Sequence, residues 1–302
     1  MIHRIGEESG QEILRLAQAG DYPQIACLIA LQNQDPEKHC LQSASSEDPR
    51  LILAEIVALN DQDELIYVIA EVSGQITGCL GCDFERRSGR GWMRGPFMAI
   101  PRWEHIPAAL LGELLRLLPP QIRRLDSFLN EKNRRGQQFY LENGFEPISQ
   151  AHVYDSDSAA MKSWQATICS RLDEFHFEPF IALHQLAFPK TYLDGAHIIQ
   201  QIDEDHQVFL HGQGKVVNGY VYASIDPHTR DGLIEYLAVQ PEMRGQGIGL
   251  QLLNCAMNWC FLERGTSQVV LVVDDKLVNA RAIYERAGFR LRYSGVNQRK
   301  EF

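Results

Sequence analysis

Arg244 stands directly ahead of glycines at 245, 247 and 249, a spacing that suits a backbone closing around a phosphate. Glycine has no Cβ, so the chain can turn sharply and bring its N–H groups close to anionic oxygens. The guanidinium adds a positive charge on a planar fork of donors. The residues before it, Gly232 to Val239, are apolar apart from Glu235 and predict a strand that ends at a Pro241 turn. The residues after it place Leu253, Ala256, Met257 and Cys260 on one stripe and predict an amphipathic helix. A helix start supplies unpaired N–H groups and the positive end of a dipole. Strand, turn, glycine-rich loop and helix together can cradle a diphosphate; the alternative is a loop that only tightens a strand–helix junction.

Two other phosphate loops do not fit. No Lys-Ser or Lys-Thr follows the glycines, as G-x-x-x-x-G-K-[ST] requires, and the last gap is one residue short of G-x-G-x-x-G. Arg244-Gly245-Gln246-Gly247-Ile248-Gly249 instead resembles the [RQ]-x-x-G-x-[GA] acetyl-CoA-binding motif of the GNAT superfamily of N-acetyltransferases. The lead-in Leu237-Ala238-Val239-Gln240-Pro241 is similar to that family's too. Downstream, residues 268–273 form an almost unbroken apolar run, as in a strand buried on both faces. Asn279, Tyr284 and Gly288-Phe289 then resemble the family's second cofactor segment, with shortened spacing. Asn279 is placed to cap a short helix, Gly288 to end it and Phe289 to begin the next strand.

The resemblance implies an α/β (α+β, GNAT-like) fold and acetyl-CoA as co-substrate. It implies that the backbone of Leu237, Ala238 and Val239 pairs with the pantetheine arm as an added strand would. Arg244, Gly245, Gln246, Gly247, Ile248 and Gly249 would hold the diphosphate, and Asn279 the pantetheine or phosphate arm. Tyr284 would sit near the sulfur as general acid, since a phenol is protonated at neutral pH. The implied reaction is direct attack of a neutral primary amine on the thioester, with a backbone N–H near Leu237 facing the oxyanion.

Glu235 is the candidate base. It interrupts an apolar strand, and period-two alternation puts it on a face with Leu233, Leu237 and Val239. A salt-bridged carboxylate and one that only binds a cationic acceptor are the alternatives. Asp226 and His228 suit either an acceptor pocket or a solvent-exposed turn.

The elements that position these residues occur twice. Residues 66–72 and 76–84 predict a hairpin around Ser73-Gly74-Gln75, as do 207–210 and 216–225 around Gly212-Gln213-Gly214. Residues 91–100 and 232–239 end in the related tripeptides Met98-Ala99-Ile100 and Leu237-Ala238-Val239. Helices are predicted from Pro23 to Leu31 and Pro179 to Phe188, and a stripe of Leu111, Leu114, Leu115 and Leu118 marks one more. Tyr140-Leu141-Glu142-Asn143-Gly144-Phe145 echoes the segment from Tyr284 to Phe289. Aligned on the tripeptides, however, His105 to Leu110 fall opposite Arg244 to Gly249. Bulky side chains would fill the phosphate space there, and Pro107 lacks an N–H. Two tandem mixed, twisted sheets flanked by helices on both faces are expected. Residues 1–155 would form a degenerate copy lacking the pyrophosphate loop, and 165–302 the acetyltransferase domain, with the link near Asp155 to Ser163.

At 302 residues the chain is long enough for two such domains, and its 45% apolar content is ordinary. A net charge of −10 with no basic stripe argues against a nucleic-acid partner. No apolar run approaches a membrane span and no secretory segment opens the chain, so a cytoplasmic protein is expected. Seven scattered cysteines suit reduced thiols, with Cys79 and Cys82 in the core, and no metal-site spacing is complete. The expected activity is acetyl-CoA-dependent N-acetyl transfer to a small amine acceptor. The alternatives are a non-catalytic acyl-CoA sensor and an acyltransferase for longer chains. A monomer with pseudo-dimeric halves and a homodimer both remain open.

Overall fold

The computed structural model describes residues 3–5, 12–42, 47–99, 103, 105–160, 169–189, 191 and 193–302. The chain divides into two units, one of Met1–Gln150 with Ser294–Phe302 and the other of Ala151–Tyr293.

The first unit contains β1 (His3–Ile5), β2 (Glu12–Leu16), α1 (Tyr22–Asn33), α2 (Pro49–Asp61), β3 (Leu65–Val72) and β4 (Gln75–Glu85). It continues with β5 (Arg90–Met98), α3 (Ile106–Leu117), β6 (Arg124–Asn130) and α4 (Arg134–Glu142), and β7 (Glu146–Asp157) follows. The second unit repeats the succession with β8 (Ser170–Arg171), α5 (Phe177–Ala187), α6 (Gly195–Gln201), β9 (His206–Gln213) and β10 (Val216–Ile225). Then come β11 (Gly232–Val239), α7 (Ile248–Asn258), β12 (Gln268–Asp274), α8 (Val278–Arg286) and β13 (Arg290–Glu301).

Each sheet is mixed. The first runs β1-β2-β3-β4-β5-β6, antiparallel except for β5 with β6, and closes with Gly295–Glu301 of β13 antiparallel to β6. The second runs β8-β9-β10-β11-β12, antiparallel except for β11 with β12, and closes with Ala151–Asp157 of β7 antiparallel to β12. From Gly295 onward β13 thus belongs to the first unit, and from Ala151 onward β7 belongs to the second. Asp155–Asp157, within the stretch expected to link the halves, are ladder residues of β7. Their polar side chains do not prevent this, because the ladder is made by the backbone. Residues 161–163 of that stretch lie outside the described residues.

The helices follow from their caps and apolar stripes. Asp48 accepts from the Arg50 N–H and Pro49 takes the first turn, which starts α2, an element absent from the expected set. The first hairpin turns at Ser73 and Gly74, both with positive φ, as a two-residue connection of twisted strands requires. In α3, Leu111 and Leu114 are buried, while Leu115 and Leu118 pack at the margin of the first core. On α7, Leu252, Leu253, Ala256 and Met257 are fully buried, and Cys260 beyond its end is too. The second unit has two cores: one holds Ile234, α7 and Tyr284, and the other holds Tyr220, Tyr222, Ala238 and Phe180 of α5.

The cysteines depart in part from expectation. Cys79 and Cys82 are buried in β4 as free thiols, but Cys169 and Cys255 are joined by a disulfide with Cα atoms 6.5 Å apart. Their separation of 86 residues hides this pairing in the sequence. Among the described residues no helix is long and apolar enough to cross a membrane, and no group of three His, Cys, Asp or Glu side chains could hold a metal ion.

Candidate active site

The site is built where two parallel strands part. Among the described residues β11 pairs with β12 only from Gly232 to Ile234, after which it continues to Val239 with no strand on that side. Its other edge stays paired to β10 through Gly219, opposite Val239. The backbone from Glu235 onward thus presents one open edge.

Glu235 lies at that parting, and its position corrects the expected alternation. Tyr222 pairs with Tyr236 and Ala223 with Ile234, so Glu235 is the extra residue of a β-bulge. A bulge moves every later side chain to the opposite face. Ile234, Leu237 and Val239 accordingly pack on the α7 core, while Tyr236 and Ala238 pack on the α5 core. Glu235 does not share the face of Leu237 and Val239. Its Oε1 accepts a hydrogen bond from the Ser224 hydroxyl at 2.8 Å, on the face of Tyr220 and Tyr222. The residue is exposed, yet protein crowds its carboxyl closely enough for desolvation to push its pKa above the ordinary range. The Ser224 bond and nearby His206 oppose that rise, and Asp226 adds to it.

The glycine loop joins the end of β11 to α7. Gly245 and Gly247 have φ of 80° and 81°, the left-handed region that favours glycine, and a Cβ at either would meet open space. Backbone conformation, not crowding, requires glycine at both. A Cβ at Gly249 would come into van der Waals contact with Val239 and Ile283, so loop, strand end and α8 converge there. Among the described residues the N–H groups of residues 245–250 donate to no backbone or side-chain acceptor, because α7 starts at Ile248 and Gly247 offers no side-chain cap. Exposed Arg244 donates from Nε to the Val239 carbonyl at 3.2 Å, which holds its guanidinium beside the loop.

Tyr284 is buried in the α7 core, its ring centroid 6.2 Å from that of Tyr154 and 6.1 Å from that of Phe289. Burial pushes its hydroxyl up to about 12, so it remains a donor at neutral pH. Asn279 does not cap its helix: α8 starts at Val278 after Leu277, two residues earlier than a cap at Asn279 requires, and the Asn279 side chain lies outside the described residues. Gly288, at φ 97°, ends the helix as expected.

Residues 172–289 match the family model described as Acetyltransferase (GNAT) family. Residues 172–289 form a GNAT-like domain. An uncharacterized N-acetyltransferase of Methanocaldococcus jannaschii is 42% identical over 77 residues, 26% of this chain and a little under half, 47%, of that relative. Among solved structures, a GCN5-related N-acetyltransferase from Sphaerobacter thermophilus is 19% identical with a TM-score of 0.70, covering 96% of this chain and 95% of that one. A tandem GNAT protein from the clavulanic acid biosynthesis pathway is 12% identical with a TM-score of 0.63, covering 95% and 98%. At those identities the two structures share the fold with this chain.

Within the GNAT domain, several polar residues around Glu235 were not anticipated. Ser224 binds it, His206 lies near enough to influence it, and Asp203 Oδ1 pairs with the His206 Nδ1 at 2.8 Å. The alternation of β10 puts Tyr220, Tyr222 and Ser224 on one face, and Leu233, paired with Ser224, sets Glu235 on that face too, while the bulge sends Leu237 and Val239 to the other. Asp226, by contrast, spends Oδ1 on the N–H groups of His228 and Thr229 and is a turn residue.

The first unit has the same parting with different residues around it. β5 pairs with β6 only as far as Met93, and the β4 register shifts around Gly95 and Pro96. The tripeptide alignment puts Pro96 opposite Glu235, although Ile100 of that tripeptide lies outside the described residues. Ile106 and Pro107 are buried at the start of α3, where the GNAT domain has its open loop. Tyr140, counterpart of Tyr284, is fully buried and donates to the Gly95 carbonyl at 2.7 Å. It locks the strand.

Proposed function

We propose that the protein transfers an acetyl group from acetyl-CoA to a primary amine of a small molecule, using one site, in the GNAT domain. The observation that carries this is the run of free N–H groups from 245 to 250 beside Arg244, which suits a diphosphate. The open edge of β11 at Leu237, Ala238 and Val239 suits an amide-rich arm, and its N–H groups suit a developing oxyanion.

An ammonium has no lone pair, so the acceptor must lose a proton before attack. Glu235, with its raised carboxyl, takes that proton, directly or through a water, and the surrounding Asp203 and Asp226 favour a cationic amine. The amine nitrogen bonds to the acetyl carbon, the C–S bond breaks, the nitrogen's surplus proton passes to solvent, and the thiolate leaves with a hydrogen bond or proton from Tyr284, which solvent then reprotonates. Much of the acceleration comes from holding the two reactants together.

The test is acetyl-CoA with a panel of amino acids, polyamines, aminoglycosides and peptides, following thiol release. Amine-stimulated release is expected, with Glu235→Gln and Tyr284→Phe slowing turnover while CoA binding is kept. Release that no amine stimulates would refute the proposal.

A further inference from the structure

The first unit, which lacks the glycine loop, contains a cavity of about 500 Å³ that the activity above does not use. That volume suits a small organic ligand. Its walls carry Lys38, Lys132, Arg134 and Arg135 against one carboxylate, Glu37. In a chain of net charge −10 such a concentration of cations is unusual. Like charges repel, and an anion bound among them would relieve that repulsion.

The cation-bearing segments are fixed by bonds that do not involve the cations. Asn133 accepts the Gly136 N–H at 2.9 Å as the cap of α4, and Asn130 accepts the Lys132 N–H at 3.0 Å. The His39 carbonyl, next to Lys38, accepts from the Asn130 N–H at 3.2 Å and from Asn133 Nδ2 at 3.3 Å. The strip bearing Lys38 is thereby stapled to the strip bearing the other three. Lys38 is paired with Asp35 at 2.8 Å on the surface, a contact weak enough to exchange for a stronger anion. The start of α4 adds the positive end of a helix dipole.

The cavity also has a flat apolar wall. Trp103 lies edge-on to Phe139, and the Arg135 guanidinium sits over its ring, 4.8 Å from the centroid. Gln32, nine-tenths buried on the last turn of α1, lines the cavity with an amide able to read a polar ring edge. We propose that this cavity binds an oligophosphate that carries a planar ring, with the phosphates on Lys132, Arg134 and Lys38 and the ring at Trp103. A free nucleoside di- or triphosphate and the nucleotide end of a larger cofactor share that chemistry.

Calorimetry on the full chain tests it, in an Arg244→Glu background that removes the loop's charge from the second unit. The probes are ADP, inorganic tripolyphosphate and coenzyme A. ADP is expected to bind one per chain, more weakly as salt rises, and Lys132→Glu with Arg134→Glu to weaken it by about tenfold or more. Both substituted residues are exposed, and unchanged circular dichroism would show that the fold is kept. Trp103→Ala is expected to weaken ADP while leaving tripolyphosphate unchanged. ADP tighter than coenzyme A assigns the site to free nucleotides, and the reverse order to the cofactor's nucleotide. No binding of ADP at millimolar concentration, or binding indifferent to the charge reversals, would overturn the proposal. Tripolyphosphate matching ADP in every variant would overturn the role of the ring.

Discussion

Replacing Ser224 with alanine tests the role of Glu235 without touching the carboxylate. The Ser224 hydroxyl donates to Oε1 at 2.8 Å and stabilises the charged form. A hydrogen bond to a charged group contributes about 1.5–3 kcal/mol when sheltered from water. Glu235 is reached by solvent, so a water replaces part of the lost bond and about 1–1.5 kcal/mol remains. Since 1.36 kcal/mol equals one pH unit of titration, the Glu235 carboxyl should rise by about one further unit. The base works only when ionised. The acid limb of kcat/KM should therefore move to higher pH by about that amount, with the plateau above it unchanged. The assay is the pH profile of amine-stimulated thiol release for the native chain and Ser224→Ala. Carboxyl ¹³C NMR, assigned by difference against Glu235→Gln, reads the same titration without substrate. An acid limb that stays in place, or moves down, would refute base catalysis by Glu235.

Two further predictions concern stability. Arg94 is buried in the first unit, with Nε on Asp83 at 2.6 Å and Nη2 on Glu55 at 2.7 Å. Arg94→Leu strands both carboxylates and should cost about 3–5 kcal/mol in urea unfolding at pH 7, with recovery when Asp83→Asn and Glu55→Gln are added. In the second unit, His184 Nε2 faces the Leu193 carbonyl at 2.9 Å, which can only accept, so Nδ1 accepts from the Tyr220 hydroxyl and the ring is neutral. Burial lowers its folded pKa below the unfolded value of about 6.5, so the unfolded chain binds the extra proton. Its contribution should be complete above about pH 6.5 and fall as pH drops below it. Denaturant midpoints at pH 8 and pH 5, compared with His184→Gln, check this; equal pH dependence in both would count against it.

The loop was legible because each of its requirements is met by residue type alone. Gly245 and Gly247 carry the positive φ that glycine permits, and Arg244 needs only to be adjacent. The repeat was legible from Tyr140 and Tyr284 and from the paired hairpins, because short-range turns fix their own register. The placement of Glu235 was not. A bulge is invisible to a period-two reading, and the extra residue sends Leu237 and Val239 to the face opposite Glu235 and its partner Ser224. The destination of β7 and β13 was also hidden, since both have ordinary strand patterns and partners far away in sequence. So was the Cys169–Cys255 bridge.

The central claim is that the bare backbone after Arg244 grips the diphosphate of coenzyme A. A crystal structure of the chain with coenzyme A tests it most directly. Diphosphate oxygens within hydrogen-bonding distance of the N–H groups of residues 245–250, with the pantetheine arm along Leu237–Val239, are the predicted result. Coenzyme A found elsewhere on the chain with that loop empty would contradict it.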